Sequence, residues 1–278
     1  MNYRHAYHAG NFADLVKHAA LTRLMARLTA DPSPLLVVDT HAGAGLYDLG
    51  DADQPRSQEA RDGIARLNGL SLPAEFAGLK AAVSARNGGD ERPVRRYPGS
   101  PLLVCDQLRP GDRYVGCELR TDDFARLGAV LRGTGKDARG LKGDGYEAAL
   151  QLTDDESRRL FVLIDPPFEQ ADDYVRIVET LAEVFAARPD ASALVWLPLK
   201  DLETLDGFVR RIEAARLPEA LVAEARMRRL DNPMKMNGCA LVAFNAPAGF
   251  ERDLQAISRF VVEQLGEPGG QAKLWVVD

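Results

Sequence analysis

The stretch 35-LLVVDTHAGAG-45 joins a continuous apolar run to a glycine-rich turn. The run from Leu35 to Asp39 shows no polar alternation before its final acid, which is typical of a strand buried on both faces in a parallel sheet. Gly43 and Gly45 let the following turn bend tightly and approach a ligand closely. Because ligands bind at the carboxyl ends of strands in open α/β sheets, this stretch predicts both the fold class and one edge of a site.

Similar apolar segments recur along the chain, separated by amphipathic helical patterns. The predicted strands are 35–39, 113–118, 139–144, 160–165, 193–198, 221–229, 239–245 and 273–277. The first predicted helix runs from 12 to about 30, and the second follows the strand at 113–118 and ends near 132. Further helices are predicted near 145–152, 170–187, 201–215 and 250–265. This alternation predicts an α/β fold with a mostly parallel sheet. The close spacing of the last strands predicts an antiparallel edge.

The chain of 278 residues is long enough for one large domain that spans residues 1–278. Within it, residues 1–30 form an N-terminal segment and helix. Residues 48–96 are charged, alanine-rich and interrupted by glycine and proline, with no convincing strand pattern. We predict a helical insertion there.

Composition narrows the class of protein. No apolar run reaches the roughly 18 residues that a membrane span needs, and the first residues contain no apolar signal core, so we expect a cytoplasmic protein. Proteins that coat nucleic acid are usually basic, whereas this chain has a net charge of −6, so any contact with nucleic acid must come from a local patch. Three widely spaced cysteines are expected to be buried free thiols.

Acids also end the second and third predicted strands of the sheet. Glu118 is placed to accept hydrogen bonds from ribose hydroxyls, and Asp144 begins the turn 143-GDGY-146. The turn at 39–45 matches neither the G-x-G-x-x-G dinucleotide fingerprint nor the P-loop, which needs a lysine. Glycine turn, acid and acid in this order are the layout of an S-adenosylmethionine pocket. The alternative is a plain loop and two helix-capping acids.

The second distinctive stretch, 164-IDPPFE-169, ends the predicted strand at 160–165. The exocyclic amine of adenine is a poor nucleophile because its lone pair is delocalised into the ring. Asp165 and the carbonyl of Pro166 can accept its two N–H groups, which localises the lone pair, and Asp165 can take the proton. The prolines hold the carbonyl in place, and Phe168 can stack on an extruded base. The alternative is a proline turn with Phe168 in the core.

The first helix carries polar residues beside its apolar side. Asn11 is predicted to cap it, with an apolar stripe formed by Phe12, Leu15, Val16, Ala19, Leu24 and Leu28. Lys17 and His18 lie beside this stripe and could face a ligand. Asp14 and His18 are four residues apart, which favours a contact on the helix surface. No cysteine or acid cluster completes a metal site, so no metal is expected.

The residues that precede this helix are polar and aromatic, and such side chains stack on bases and contact phosphates. The predicted contacts with a nucleic-acid substrate are Tyr3, Arg4 and His5, and Tyr7 and His8 belong to the same run. The alternative is a frayed terminus.

Four stretches together resemble the bacterial 23S ribosomal RNA adenine-N6-methyltransferase J family: 3-YRHAYHAGNFADLVKH-18, 39-DTHAGAG-45, 97-YPGSP-101 and 164-IDPPFE-169. The resemblance covers nearly the whole chain, including the helical insertion. It implies a Rossmann-like class I S-adenosylmethionine-dependent methyltransferase sheet. It also implies methylation of adenine 2030 of 23S rRNA, with S-adenosylhomocysteine as the other product.

The resemblance also implies residue roles. The implied cofactor contacts are Lys17, His18, His41, Gly43, Ser100, Glu118, Asp144, Gly145 and Asp165. The implied catalytic acid is Asp165, with Pro166 and Phe168 beside it, and Tyr3 and Arg4 match a segment thought to close over substrate. The family often has tyrosine at the position of Phe168, so stacking is kept here but a hydroxyl contact is lost. The segment before the first helix is one residue shorter than in the family, which affects the position matched to Tyr3.

Two other functions remain open from the residues. One is a DNA adenine-N6 methyltransferase, which usually carries a recognition domain with basic loops. The other is a protein of the same fold that binds RNA without catalysis, although such a protein has no need of Asp165. Two basic clusters could contact nucleic acid or could be solvated surface: Arg92, Arg95 and Arg96, and then Arg226, Arg228, Arg229 and Lys235. No feature calls for a dimer, so a monomer is expected.

Overall fold

The computed structural model describes residues 8–50, 58–67, 69–89, 93–170, 172–232 and 234–278. The strands are β1 (Leu35–Asp39), β2 (Leu46–Asp48), β3 (Arg96–Pro98), β4 (Arg113–Glu118), β5 (Ala138–Lys142), β6 (Arg159–Ile164), β7 (Ser192–Leu199), β8 (Ala220–Arg226), β9 (Gly238–Phe244) and β10 (Gln271–Val277). The α-helices are α1 (Phe12–Leu28), α2 (Gln58–Ala60), α3 (Ala77–Asn87), α4 (Ser100–Cys105), α5 (Thr121–Arg132), α6 (Gly145–Gln151), α7 (Asp173–Ala187), α8 (Leu202–Ala214) and α9 (Phe250–Leu265).

The described residues form a central eight-stranded sheet in the order β10-β8-β9-β7-β6-β1-β4-β5. Strands β7, β6, β1, β4 and β5 pair in parallel, whereas β9, β8 and β10 join through antiparallel pairs. The predicted mostly parallel sheet with an antiparallel edge is therefore confirmed.

Strand β1 shows why both faces of the sheet are covered. All five of its residues are buried. Leu35 and Val37 join a core under α1, α3, α4, α5 and α9, whereas Leu36 and Val38 join a core under α6, α7 and α8. Alternate side chains of a strand point to opposite faces. The uninterrupted apolar run thus supplies two cores at once.

The strand order reverses at β1. The chain builds outward through β4 and β5 on one side, then returns to add β6 and β7 on the other. In open α/β sheets a crevice forms at the carboxyl ends of the strands where the order reverses. The turn after Asp39 and the loop after Ile164 both leave the sheet at this crevice, because β1 and β6 are parallel neighbours.

Helix α1 is buried on most of its circumference. Asn11 caps it as predicted, since its Oδ1 accepts from the backbone N–H of Asp14 at 3.0 Å. The residues of the predicted apolar stripe are buried, with Phe12 partly so, and the burial extends further to Asp14, Lys17 and His18. The helix packs against α3, α4 and α9. His18 Nε2 lies 3.8 Å from Asp14 Oδ1, but both side chains are at most 3% exposed, so the expectation that this contact lies on the helix surface is wrong.

The segment at 48–96 contains helical turns and lies between the two strands of a small antiparallel sheet. Its helical pieces are α2, a π-helical turn at Arg61–Ala65, a 3-10 turn at Ala74–Phe76 and α3. Strands β2 and β3 pair antiparallel, with Leu46 opposite Pro98. These strands flank the stretch, and the described residues between Asp48 and Arg96 contain no strand, as expected. The flanking strands were missed because three-residue strands are too short to show alternation. The limits of the insertion as a subdomain remain a prediction.

Two further observations concern the described residues. None of their helices has the length and apolar character needed to cross a bilayer. The three cysteines are free and buried, as predicted.

Candidate active site

A cavity of about 480 Å³ opens at the carboxyl ends of β1, β4, β6 and β7. Its size is typical of small-molecule sites. The predicted residues that line it are Lys17, His18, His41, Gly43, Ser100, Glu118, Gly145, Asp165, Pro166 and Phe168. Asp144 is not among its lining residues. Tyr3, Arg4 and His5 lie outside the described residues, so their predicted roles stay predictions.

Two glycines bring backbone close to the cavity. Gly43 has a φ of +61°, and a Cβ there would fall 2.3 Å from the hydroxyl of Tyr47. A Cβ at Gly145 would fall 2.0 Å from the carbonyl oxygen of Thr40. Any side chain at Gly145 would therefore push the loop after β1 away from the start of α6. Both glycines keep the cavity wall made of backbone.

Glu118 ends β4 with a half-buried carboxylate in the cavity. Burial raises its pKa, while the hydrogen bond from the backbone N–H of Arg120 lowers it. Glu118 Oε1 accepts that bond at 2.6 Å. One carboxylate oxygen is thus anchored to its own loop, and the side chain is fixed at the cavity wall.

Asp144 has a different local setting from Glu118. Its Oδ1 accepts from the backbone N–H of Tyr146 at 2.9 Å, which caps α6, and its Oδ2 accepts from Arg176 Nη2 at 2.6 Å. Burial is the largest effect on its pKa and raises it, but the bonds from Arg176 and Tyr146 hold the pKa below its usual range. Arg176 also lies 4.4 Å above the ring of Tyr146. These contacts show the helix-capping role that was the alternative for Asp144.

Ser100 reaches the cavity from the start of α4 and is anchored beneath it. Its hydroxyl donates to Asp39 Oδ2 at 2.6 Å, and the Tyr114 hydroxyl donates to the same oxygen at 2.9 Å. Asp39 is 1% exposed. Burial raises the pKa of Asp39 to about 6, against the two hydroxyl donors. The sequence reading did not single out Asp39, although its position at the end of β1 was a usable signal.

His41 lies in the turn after β1 and lines the cavity. Its Nδ1 lies 2.7 Å from the hydroxyl oxygen of Thr40. Its ring meets the edge of Tyr146 at a centroid distance of 5.1 Å. Burial lowers the pKa of His41 to about 4, outweighing the nearby charges of Asp165 and Asp144. At neutral pH the imidazole is therefore uncharged and has one N–H and one lone pair.

Asp165 follows β6 and meets the first helix across the cavity. Its Oδ2 accepts from Lys17 Nζ at 2.5 Å, although 148 residues separate the two in sequence. Lys17 Nζ also lies 3.0 Å from Asp14 Oδ1. Lys17 was expected to contact the cofactor. The structure shows that its amine lies between two carboxylates, one of which is the predicted catalytic acid.

Lys17 keeps its charge despite being 5% exposed. Burial is the largest single effect and lowers its pKa, but the charges of Asp14 and Asp165 together raise the pKa well above its usual value. A buried cation is stable only when it is paired. Asp14 is therefore a residue that the sequence reading missed as a site residue. Its spacing of three from Lys17 on a helix was the available signal.

His18 ties α1 to the loop that carries Ser100. Its Nδ1 lies 2.8 Å from the hydroxyl of Tyr97 on β3, and both residues are almost fully buried. Tyr97 opens the stretch 97-YPGSP-101, whose Gly99 and Ser100 line the cavity. The predicted cofactor role of His18 remains a prediction, and its observed contact positions α1 against this stretch.

Phe168 lies in the loop after β6 with a φ of +52°. A non-glycine residue in this region costs about 1 kcal/mol or more and needs support from its surroundings. Its ring packs 4.8 Å from Tyr174 and 5.8 Å from Trp196, measured between centroids. The ring is half-buried and still lines the cavity, so it is neither a pure core residue nor a free one.

The cavity wall around Phe168 contains apolar residues that the sequence did not predict. Trp196 and Pro198 on β7, and Met236 before β9, line it beside Phe168. Trp196 is part of 193-ALVWLP-198, a stretch that predicted a strand and carried no other signal. These residues give a flat ligand an apolar wall.

The N-terminal approach to the cavity touches the inserted segment. His8 Nδ1 lies 2.9 Å from Glu59 Oε2, and Asn11 Nδ2 donates to the same oxygen at 3.1 Å. All three residues line the cavity. The insertion therefore contributes a side chain to this site.

Two of the four residues in the second basic cluster are paired within the protein. Arg226 contacts Glu224 at 2.6 Å, and Arg228 contacts Glu267 at 2.9 Å. These pairs reduce the charge available to a ligand. In the first cluster, Arg92 lies outside the described residues, whereas Arg95 and Arg96 are exposed.

The sheet order and the position of the cavity define the protein as a class I methyltransferase fold with an acid-Pro-Pro-aromatic loop at its site. A family model described as "Ribosomal RNA large subunit methyltransferase D, RlmJ" matches residues 32–277. The chain belongs to this family and is a methyltransferase.

Relatives of the same kind match over the full length. "Ribosomal RNA large subunit methyltransferase J" of Escherichia coli (strain K12) is 30% identical, covering 100% of this chain and 99% of the relative. The protein of the same name from Haemophilus influenzae is 27% identical, covering 100% and 98%. The crystal structure of protein LPL1258 from Legionella pneumophila has a TM-score of 0.87 at 27% identity, covering 96% of this chain and 98% of that one.

Proposed function

We propose that the protein transfers a methyl group from S-adenosylmethionine to the exocyclic N6 of an adenine in 23S rRNA. The observation that carries the proposal is that Asp165, Pro166 and Phe168 share one cavity with the glycine turn and Glu118. The names of the relatives support large-subunit rRNA as the substrate. Adenine 2030 is the position that the family resemblance implies.

The residues at the ends of β1, β4 and β5 fit S-adenosylmethionine. Backbone at Gly43 and Gly145 approaches where a Cβ would collide, Glu118 offers a carboxylate to ribose hydroxyls, and neutral His41 offers a hydrogen-bonding ring. When bound, S-adenosylmethionine supplies an electrophilic methyl on a sulfonium. The role of these residues is to bind and orient it.

The loop after β6 prepares the adenine amine. The Asp165 carboxylate accepts one N–H of the amine and the Pro166 carbonyl accepts the other, which draws the nitrogen toward tetrahedral geometry. The lone pair is then available for in-line attack. Asp165 also accepts the proton that the amine loses, since a positioned carboxylate can act as a general base.

Lys17 positions Asp165 for this task. Its amine holds Oδ2 of Asp165 and leaves Oδ1 without a donor among the described residues. Asp14 holds the other side of the amine. The carboxylate is therefore fixed in direction before substrate binds, which reduces the entropy cost of reaching the reactive geometry.

The aromatic wall receives the base. Phe168 and Trp196 offer ring faces, with Pro198 and Met236 beside them. Stacking on such a wall favours an unpaired, extruded adenine. Because the backbone at Phe168 is held in an uncommon conformation, the ring is in place before the base arrives.

The surroundings of the reaction follow from this assignment. We infer that the enzyme acts in the cytoplasm, as a monomer and without a metal. Among the described residues, no group of three or more histidine, cysteine or acidic side chains is arranged to hold a metal ion.

The test is methyl transfer from labelled S-adenosylmethionine to protein-free 23S rRNA and to adenine-containing duplex DNA in parallel. The Asp165→Ala variant, checked for cofactor binding, is the control. We expect label only in the RNA, recovered as N6-methyladenine, and none with the variant. Label in DNA alone would overturn the substrate. Cofactor binding with no label in either would lead to a trial with assembled large subunits, and failure there would support a non-catalytic protein.

A further inference from the structure

A second concave surface lies between the end of α3 and the start of β3. Its lining residues are Arg86, Asn87, Pro93, Arg95 and Arg96, and it encloses about 330 Å³. It is called the arginine notch below. Residues 90–92 lie outside the described residues.

The backbone of the arginine notch is fixed by one amide side chain. Asn87 Oδ1 accepts from the backbone N–H groups of Arg95 and Arg96 at 2.8 and 2.9 Å. Its Nδ2 donates to the carbonyls of Val83 and Arg96 at 2.7 and 2.8 Å. The asparagine thus satisfies all four of its hydrogen-bonding positions, and it holds the two arginines at the end of α3.

The charge of the notch comes from Arg95 and Arg96. Arg86 is paired through two hydrogen bonds with Asp106, at 2.7 and 2.8 Å. Asp48 on β2 lies opposite Arg96 on β3, but Asp48 Oδ1 accepts from the backbone N–H of Gly50. No ion pair within the described residues involves Arg95 or Arg96. Their guanidinium groups therefore face solvent with positive charge available.

The notch is within reach of the site along one strand. Arg96 begins β3, and Gly99, which lines the cavity, follows three residues later. At about 3.3 Å per residue this separation is roughly 10 Å. A nucleotide chain that places one base in the cavity can run its neighbouring phosphates over this distance.

We propose that Arg95 and Arg96 form a phosphate-binding site that holds the backbone of the substrate RNA beside the target adenine. Guanidinium groups bind phosphate oxygens through two parallel hydrogen bonds. A polyanion gains from such contacts by releasing counterions. The overall charge of −6 makes local sites of this kind the means by which the protein can hold RNA. This inference rests on the proposed RNA methyltransferase function.

The test compares Arg95→Glu/Arg96→Glu with a matched charge reversal, Arg252→Glu/Arg259→Glu on α9. The control arginines are 83% and 73% exposed in their side chains and lie outside the notch and the cavity. Methyl transfer to protein-free 23S rRNA is measured over a range of RNA and salt concentrations. S-adenosylhomocysteine binding and thermal unfolding establish that each variant is folded.

We expect the notch variant to raise KM for RNA about tenfold with kcat within about twofold, because it loses phosphate contacts and keeps the catalytic loop. The slope of log affinity against log salt should become shallower by roughly 1 to 2. The control variant should change neither by more than about twofold. An unchanged KM and salt slope in the notch variant would overturn the inference.

Two outcomes separate this inference from the proposed function. If the wild type methylates 23S rRNA and both variants match it, the notch is not a phosphate site and the function stands. If the wild type methylates neither protein-free RNA nor assembled large subunits, the function itself fails, and this inference fails with it. A defect of the notch variant on ribosomal particles but not on protein-free RNA would overturn the inference in favour of a protein contact.

Discussion

Asp39 and Asp165 end neighbouring parallel strands, yet their surroundings differ. Asp39 is buried beneath the site and is held by the neutral hydroxyls of Ser100 and Tyr114. Asp165 lines the cavity and is held by the cation of Lys17. Neutral donors anchor a carboxylate that stays out of contact with ligand. A charged partner from another element places the second carboxylate where a ligand can reach it.

The largest expected effect tests this contrast directly. Asp165→Asn should lower kcat by about 10³, because the variant loses the general base but keeps its shape. Asp39→Asn is the matched control and should lower kcat by less than about tenfold, because Asp39 acts only through Ser100. Both are measured under saturating cofactor, with cofactor affinity determined separately by calorimetry. Comparable losses in the two variants would erase the distinction.

Removing the cation should affect both activity and stability. Lys17→Met removes the cation that lies between the buried carboxylate of Asp14 and that of Asp165, so we expect the free energy of unfolding to fall by about 3 kcal/mol. The kcat should fall about 10²-fold because Asp165 loses its fixed direction. Urea unfolding and turnover at saturating substrate measure the two effects.

A double variant separates the two effects of Lys17. Asp14→Asn/Lys17→Met should regain much of the lost stability, because the fully buried carboxylate of Asp14 is removed together with the cation, and Asp165 faces the cavity. It should remain slow, because Asp165 still lacks its cation. If the double variant also regains activity, Lys17 does not position Asp165.

A smaller effect is expected at the aromatic wall. Phe168→Ala should lower kcat/KM for RNA by about 5- to 100-fold, as expected for the loss of one base-stacking contact. Phe168→Tyr keeps the ring and should stay within about threefold of the wild type. Thermal unfolding of both variants tests the alternative: if Phe168→Ala is simply unfolded, the ring belongs to the core.

The smallest effect concerns how stability depends on pH. The pKa of Asp39 is raised to about 6 in the folded protein, against about 3.9 unfolded. Between these values the folded state binds more protons, so this group makes the protein less stable as pH rises from 4 to 6. The full effect is at most roughly 3 kcal/mol above pH 6. Asp39→Asn should remove this slope, measured as the difference in unfolding free energy from wild type at pH 4.5 and 7. An identical pH dependence in the two proteins would contradict the assignment.

Local pattern was sufficient for the frame of the site. The apolar run at 35–39 predicted a buried strand, and the acid or glycine after each strand predicted which residues gather at one edge. This works because parallel strands bring their carboxyl ends together, whatever the details of packing. The cap at Asn11 was likewise a local feature.

Contacts between distant elements were beyond such patterns. The pairing of Lys17 with Asp165 depends on where α1 packs. The position of Lys17 beside the apolar stripe predicted a side chain that faces a ligand, and it did not indicate a partner acid. A lysine between two acids is compatible with burial, but this becomes visible only when the second acid arrives from β6. The pairing of β2 with β3 was also missed, because the two strands are short and lie far apart in sequence.

The position of Trp196 has a practical consequence for spectroscopy. The chain has two tryptophans. Trp196 lies at the cavity wall beside Phe168, whereas Trp275 lies on β10 and donates to Glu224 at 2.9 Å. Replacing Trp275 with phenylalanine leaves Trp196, at the cavity wall, as the single tryptophan. We expect its emission to change when the proposed base stacks on this wall, so binding can be followed in real time without a label on the protein or the RNA.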